Sequence, residues 1–280
     1  RRLISTIEDV GTLGPEGEVY YIANPGEGIV ADPKTWEAGI PTTPKARRDY
    51  DGLEFRVDKR FAKNYQFAAS YTWSRSYGNY SGLASSDEPD SSGVGRASPN
   101  VNRYFDLPWI SYTERGQLAE GVLSTDRPHT FKFFGGYTLK SFLGHTTISP
   151  NFVVYSGTPL TTQVNVVTTT PAYPYGRGDL GRTPIFCNTD LNLMHEFNAF
   201  KARENMKVRF EFTVFNLLNS STVTNKAVNL LHPDDQYIQF DDHAAIFKGF
   251  NTLQLMKAQD LRLDPTYNLP QNFQSPRSAR

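Results

Sequence analysis

Residues 206–214 alternate between apolar and polar side chains without a break. Met206, Val208, Phe210, Phe212 and Val214 fall on one side, and Lys207, Arg209, Glu211 and Thr213 on the other. Successive side chains of a β-strand point to opposite faces, so this run asks for a sheet with one face in an apolar medium and one in a polar medium. The pattern recurs along the chain. In 53–59 Leu53, Phe55 and Val57 oppose Glu54, Arg56 and Asp58. In 66–76 Phe67, Ala69, Tyr71 and Trp73 oppose Ser70, Thr72, Ser74 and Ser76, and in 129–139 Phe131, Phe133, Tyr137 and Leu139 oppose Thr130, Lys132 and Thr138. Two weaker runs contain Pro150, which has no N–H and predicts a bulge or a later strand start, and Met194, which interrupts a polar side. Together they predict strands near 50–59, 65–77, 128–139, 146–156, 186–197 and 206–216.

The connections sharpen the reading. Short links at 59–65, 140–144 and 198–204 alternate strictly with long ones at 77–127, 157–185 and 217–280. Compact soluble domains rarely hold structureless loops beyond ~12–15 residues, whereas barrels of the bacterial outer membrane have tight periplasmic turns and long extracellular loops. The expected fold is therefore all-β: a partial transmembrane antiparallel β-barrel with short periplasmic turns and long extracellular loops. Six strands fall short of the ~8 of the smallest closed barrels, so strands are expected to be missing from both ends.

Composition agrees with that architecture and excludes others. Aromatic residues reach 13% in a chain of low mean hydropathy (−0.49), as expected for a sheet that is apolar on one side only. No run of ~18 apolar residues predicts a transmembrane helix. A formal net charge of zero argues against a nucleic-acid partner. The lone Cys187 allows no internal disulfide and no thiolate cluster.

At the level of motifs the chain resembles the barrel of TonB-dependent receptors, in particular the Oar-like subgroup. The resemblance rests on Arg48-Asp49-Tyr50-Asp51-Gly52-Leu53-Glu54 with Lys59-Arg60-Phe61 and Ala69-Ser70-Tyr71-Thr72-Trp73-Ser74. It continues in order through Thr125-Asp126-Arg127-Pro128-His129, Ser156-Gly157-Thr158-Pro159-Leu160, Gly181-Arg182-Thr183-Pro184 and Phe215-Asn216-Leu217-Leu218-Asn219, and covers 47–225. It implies location in the cell outer membrane and energy-coupled uptake of a ligand that the residues do not identify, through a TonB complex. It also implies that the plug and the TonB-contacting segment lie upstream of this chain, and that the final strand follows a stretch like Gln274-Ser275-Pro276-Arg277-Ser278-Ala279-Arg280. Plug and final strand are thus expected to be absent.

The expected lipid-facing residues are Phe67, Tyr71, Trp73, Phe131, Phe133, Tyr137, Val208, Phe210 and Phe212. The expected lumen-facing ones are Arg56, Lys132, Lys207, Arg209 and Glu211. A charge facing lipid at the midplane costs about 2–4 kcal/mol, which favours this inward assignment. Two competing readings remain: Tyr71, Trp73, Phe131, Phe133 and Tyr137 as a ligand-stacking platform, or a soluble all-β carbohydrate-binding or accessory domain in which aromatics bind sugar and the alternating faces bury a sandwich core. Asp87, Glu88 and Asp90, and the tail group Asp234, Asp235, Asp241 and Asp242 with His232 and His243, lack the spacing of a calcium loop and are expected to be solvated. His129 beside Asp126 lacks a third orienting group. Arg177-Gly178-Asp179 is short enough to arise by chance. No catalytic residue, cofactor or metal site is expected, and the chain is read as a non-enzyme.

Overall fold

A computed structural model describes residues 8–14, 17–80, 105, 107–168, 171–198 and 206–280. The acidic group Asp87, Glu88 and Asp90 and most of the link 198–204 lie outside them. In chain order the strands are β1 (Glu8–Gly14), β2 (Gly17–Ala23), β3 (Arg48–Ala62), β4 (Tyr65–Gly78), β5 (Gly121–Val122), β6 (His129–Ser141), β7 (Gly144–Tyr155), β8 (Val164–Asn165), β9 (Pro171–Ala172), β10 (Phe186–Asn198), β11 (Lys207–Phe215), β12 (Val223–Lys226), β13 (Pro270–Phe273) and β14 (Ser278–Ala279). Two short helices, α1 (Ala244–Lys248) and α2 (Thr252–Ala258), lie between β12 and β13. No helix among the described residues is long and apolar enough to cross a membrane.

The main sheet is antiparallel and eight-stranded, in the order β14-β11-β10-β7-β6-β4-β3, with β5 added beside β4. Each long strand coincides with an alternating run in the sequence, because alternation is a property of the strand alone. The turn from β3 to β4 reverses at Lys63 (φ 52°) and Asn64 (φ 70°), the paired left-handed residues that match the twist of a tight hairpin. The turn from β6 to β7 ends at Gly144 (φ 133°), where an added Cβ would lie 2.2 Å from the Glu196 carbonyl oxygen of the passing β10.

One expectation needs correction, and two further elements lie outside the expected strands. Pro150 neither bulges nor delays β7, which pairs in unbroken register with β10 from Phe186↔Tyr155 to Glu196↔His145, through Leu191↔Pro150. On its other side the pairing with β6 lapses between Phe134↔Asn151 and Tyr137↔Ile148, opposite Gly135 and Gly136, so the missing donor falls in a gap in the ladder. The tail returns to the edge of the sheet: Ser278 and Ala279 pair with Phe215 and Val214, flanked by reciprocal hydrogen bonds between Thr213 and Arg280 (2.8 and 3.0 Å). The first strand of the sheet is also preceded by an unforeseen hairpin, β1–β2.

The largest departure concerns the long connections. Together with the N-terminal stretch 8–47 they hold the hydrophobic core: Val10, Trp36, Phe105, Trp109, Val166, Tyr173, Leu230, Ile238, Ile246 and Met256 form one buried cluster. Among the described residues, Ala68 is the only buried apolar side chain that belongs to a long strand of the main sheet. The segments 157–185 and 217–280 therefore are not structureless loops. With 8–47 and the described part of 105–126 they pack into a cap at one end of the sheet. The cap is tied by parallel bridges Gln163↔Asn229 and Val166↔Ile238. Glu114 adds a polar tie by accepting from the Thr252 N–H (3.0 Å) and hydroxyl (2.7 Å).

Candidate functional site: the two faces of the sheet and the junction with the cap

Register carries the single-strand alternation across the whole sheet. Directly paired residues lie on one face, so Phe55, Tyr71, Phe131, Val154 and Cys187 form one row, and Val57, Ala69, Phe133, Phe152 and Thr189 the next. Below them runs Tyr65, Tyr137, Ile148, Leu193 and Phe212, and near the short turns His195 stands opposite Phe210 and Phe197 opposite Val208. All nine residues expected on the apolar side share this face, Phe67 standing between Lys59 and Gly135 and Trp73 between Leu53 and His129. Among the described residues neither a second sheet nor a helix layer covers it: Trp73 is 45%, Phe212 49% and Phe210 62% exposed. A sandwich core would bury these rings.

The opposite face gathers Arg56, Ser70 and Lys132 in one row, and Glu196, Arg209, Glu211, Asn198 and Lys207 in the rows near the short turns. Several of its charges are paired. Arg56 binds Asp58 (2.7 Å), Glu196 takes both Lys207 and Arg209 (3.0 Å each), and Asn192 donates to Glu211 (2.7 Å). The face is not purely polar: Phe134 stands on it opposite Asn151, and Met194 opposite Glu211. Phe134 was missed because three phenylalanines in a row, broken only by Lys132, blur the period.

Where the sheet meets the cap, the motifs scattered along the sequence converge. Asp126, buried at the end of its link, is paired with Arg182, whose guanidinium also donates to the Asp126 carbonyl (3.0 Å) and the Gly157 carbonyl (3.2 Å). An added Cβ at Gly157 would lie 1.6 Å from the Thr183 carbonyl oxygen, so only glycine lets these strands of chain touch. His129 is not Asp126's partner; its Nδ1 meets the Tyr71 hydroxyl at 2.8 Å on the apolar face. Asn216 (φ 49°) turns the chain out of β11, its amide donating to the Ser220 and Ser275 carbonyls (2.9 and 2.8 Å).

The Arg177-Gly178-Asp179 tripeptide is a structural joint. Arg177 donates to the Ala119 and Asn79 carbonyls (3.1 Å each) and stacks on Tyr173, while Asp179 accepts from the Thr162 N–H (2.8 Å). Thr162 in turn meets the Tyr267 hydroxyl (2.6 Å), whose phenol burial pushes up. Nothing in the sequence marked these joints, because each needs partners from distant segments.

The tail acidic group divides. Arg262 binds Asp235 (3.0 Å) and Asp234 (3.3 Å), and its hydrogen bonds hold the Asp235 carboxyl below the usual range, whereas Asp242 faces Lys248. Among the described residues no three His, Cys, Asp or Glu side chains converge as metal ligands. A cleft of about 580 Å³ opens where β3 enters the cap, lined by Asn24, Lys45, Arg47, Arg48, Leu118 and Glu120, within the usual ~300–1,000 Å³ for a small-molecule site. Arg47 in it is shared between Asp49 (2.7 Å) and Glu120 (3.1 Å).

Comparison with known proteins places this geometry. A family profile described as outer membrane beta barrel domain matches residues 24–177, more than half of the chain. The TonB-dependent transporter Oar of Myxococcus xanthus is 28% identical over 295 aligned residues, covering 99% of this chain and 25% of its own length. The chain thus spans about a quarter of that relative. No solved structure matches it.

Proposed function

The chain belongs to the outer membrane beta barrel domain family, and from that membership we propose that it forms part of the wall and the ligand-gathering cap of a TonB-dependent receptor. The observation that carries the reading is the mainly apolar face that keeps one register from β3 to β11 and that no other described element covers on its outer side. On this reading Phe67, Tyr71, Trp73, Phe131, Phe133, Tyr137, Val208, Phe210 and Phe212 contact the hydrocarbon of the outer membrane. Arg56, Lys132, Lys207, Arg209 and Glu211 line the lumen. The apolar band on β4 covers 65–73, close to the ~9–11 residues a tilted strand needs to cross.

The cap faces the outside and takes an unidentified extracellular ligand, with the cleft around Arg47 as its point of entry. Import is driven by a TonB complex acting on a plug within the barrel. The similarity to the Oar transporter along nearly the whole chain supports this step. A sandwich core built on the aromatic face has no support in a sheet where that face lies bare.

The test uses the full-length protein in its own cell. It should fractionate with outer membranes, shift in gel mobility on heating, and bind the purified periplasmic domain of the host's TonB. Fractionation with soluble proteins would sink the barrel reading. A folded barrel that ignores TonB would sink the energy coupling alone.

A further inference from the structure

Toward the cap, the aromatic face changes character without changing sides. Unbroken register pairs Phe55 with Tyr71, Leu53 with Trp73, Asp51 with Arg75 and Asp49 with Tyr77. Paired residues, and residues two apart on one strand, share a face. The apolar rows therefore end at Leu53 and Trp73, and the next rows on that same face are charged. A cleft of about 560 Å³ opens over them, its lining including Asp49, Asp51, Arg75 and Tyr77. Arg47, Asp49 and Glu120 line both this cleft and the one of about 580 Å³ in the cap, so the two adjoin there. A groove thus leads from the bare rings into the cap, with Arg47 at its waist.

Lone charges and bare apolar side chains are scattered over this surface, and by themselves they mark no site. Here two opposite charges face each other inside a cavity, and neither is spent on the other. Asp51 and Arg75 are direct cross-strand neighbours, whose Cβ atoms stand about 4.5–5.5 Å apart. Among the described residues, however, no ion pair or hydrogen bond engages either side chain. The Arg75 guanidinium lies over the Tyr77 ring instead (4.9 Å), and both Asp51 and Arg75 are exposed. Arg47, by contrast, is held by Asp49 (2.7 Å) and Glu120 (3.1 Å). The cleft therefore presents one anion and one cation, a short reach apart, to a ligand from outside. A head bearing an amine and a phosphate answers both, whereas a head of single charge leaves one of them without a partner.

We propose that this groove binds an amphiphile whose head carries both an amine and a phosphate, entering sideways from the outer leaflet. The amine meets Asp51, the phosphate meets Arg75, and the chain lies along Leu53, Trp73, Phe55 and Tyr71. The continuation past Arg47 into the cap suits a captured ligand, not a lipid that merely surrounds the barrel. The inference rests on the barrel reading above and gives a ligand class to the cleft around Arg47.

The experiment incubates the full-length protein, in dodecyl maltoside micelles, with lysophosphatidylethanolamine carrying a diazirine at the end of its chain. Photolysis should give saturable adducts on peptides holding 53–57 and 67–73. The same chain on lysophosphatidylglycerol, or on a simple alkylamine, should need about tenfold more probe for half-saturation, the factor of one lost charge-assisted contact. Asp51→Asn should bring lysophosphatidylethanolamine to the lysophosphatidylglycerol level, and Arg75→Gln should bring it to the alkylamine level. Both variants should keep the heat-dependent mobility shift; if one does not, the head preference of wild type decides. Equal half-saturation for the three heads overturns the proposal, as do folded variants that bind like wild type. So do adducts that rise without saturating and spread around the barrel, the mark of surrounding lipid only. Absence of a heat-modifiable folded wild type would instead fault the barrel reading.

Discussion

Asp126 and Arg182 meet where strand gives way to cap, and the reason for their pairing is burial. The Asp126 side chain is 2% exposed and also accepts from the Ser76 backbone N–H (2.5 Å), so its charge has no water to fall back on. Removing one partner of a buried pair costs about 3–5 kcal/mol, with the half-open Arg182 placing this case toward the lower end. Arg182→Met in the full-length protein should therefore lower the heating midpoint of the gel-mobility shift. Adding Asp126→Asn should recover part of the loss. A double variant as unstable as the sum of the singles would mean that the two groups do not interact. Both residues stand in motifs that sequence similarity singles out, yet their contact joins two separate connections across the β6–β7 hairpin. The identity of the residues was readable, and the partnership was not.

At the level of strands, the two faces differ in what they tolerate. Phe133 sits in a middle row between Ala69 and Phe152, whereas Phe210 stands only a few residues above the start of β11. A cation on the lipid side costs about 2–4 kcal/mol at the midplane and about 0–1 near an interface. Phe133→Lys should then destabilise the folded barrel far more than Phe210→Lys, measured as the denaturant midpoint in detergent or vesicles. Equal penalties would refute the depth assigned to these rows. Alternation predicted which side each residue takes, since that is set by the neighbouring peptide. It could not predict that Pro150 is harmless, because that depends on Gly135 and Gly136 lying across from it in another strand. Nor could it predict β14, which is too short for any period and exists only through β11.

The molecule as a whole has its dry interior in an unusual place. The cap, built from four separate stretches, holds the buried cluster, and the sheet contributes its greasy side to the surroundings. Ile238→Ala, at a fully buried site bridged to Val166, should cost about 2–5 kcal/mol of cap stability. Limited proteolysis should then cut the cap of the variant while the heat-dependent mobility shift of the barrel persists. Loss of both together would show that cap and sheet unfold as one unit. The positions of the six long strands and their two-sided character were legible in the order of residues, because period two is a local signal written within a few peptides, and the outer-membrane setting followed from the motifs that resemble a known barrel family. The cap was not: Val10, Trp109, Val166 and Ile238 carry no shared period, and it takes the folded chain to bring them together. Long polar-looking segments therefore read as open loops until their scattered apolar residues find one another, a cooperative event that no single stretch encodes.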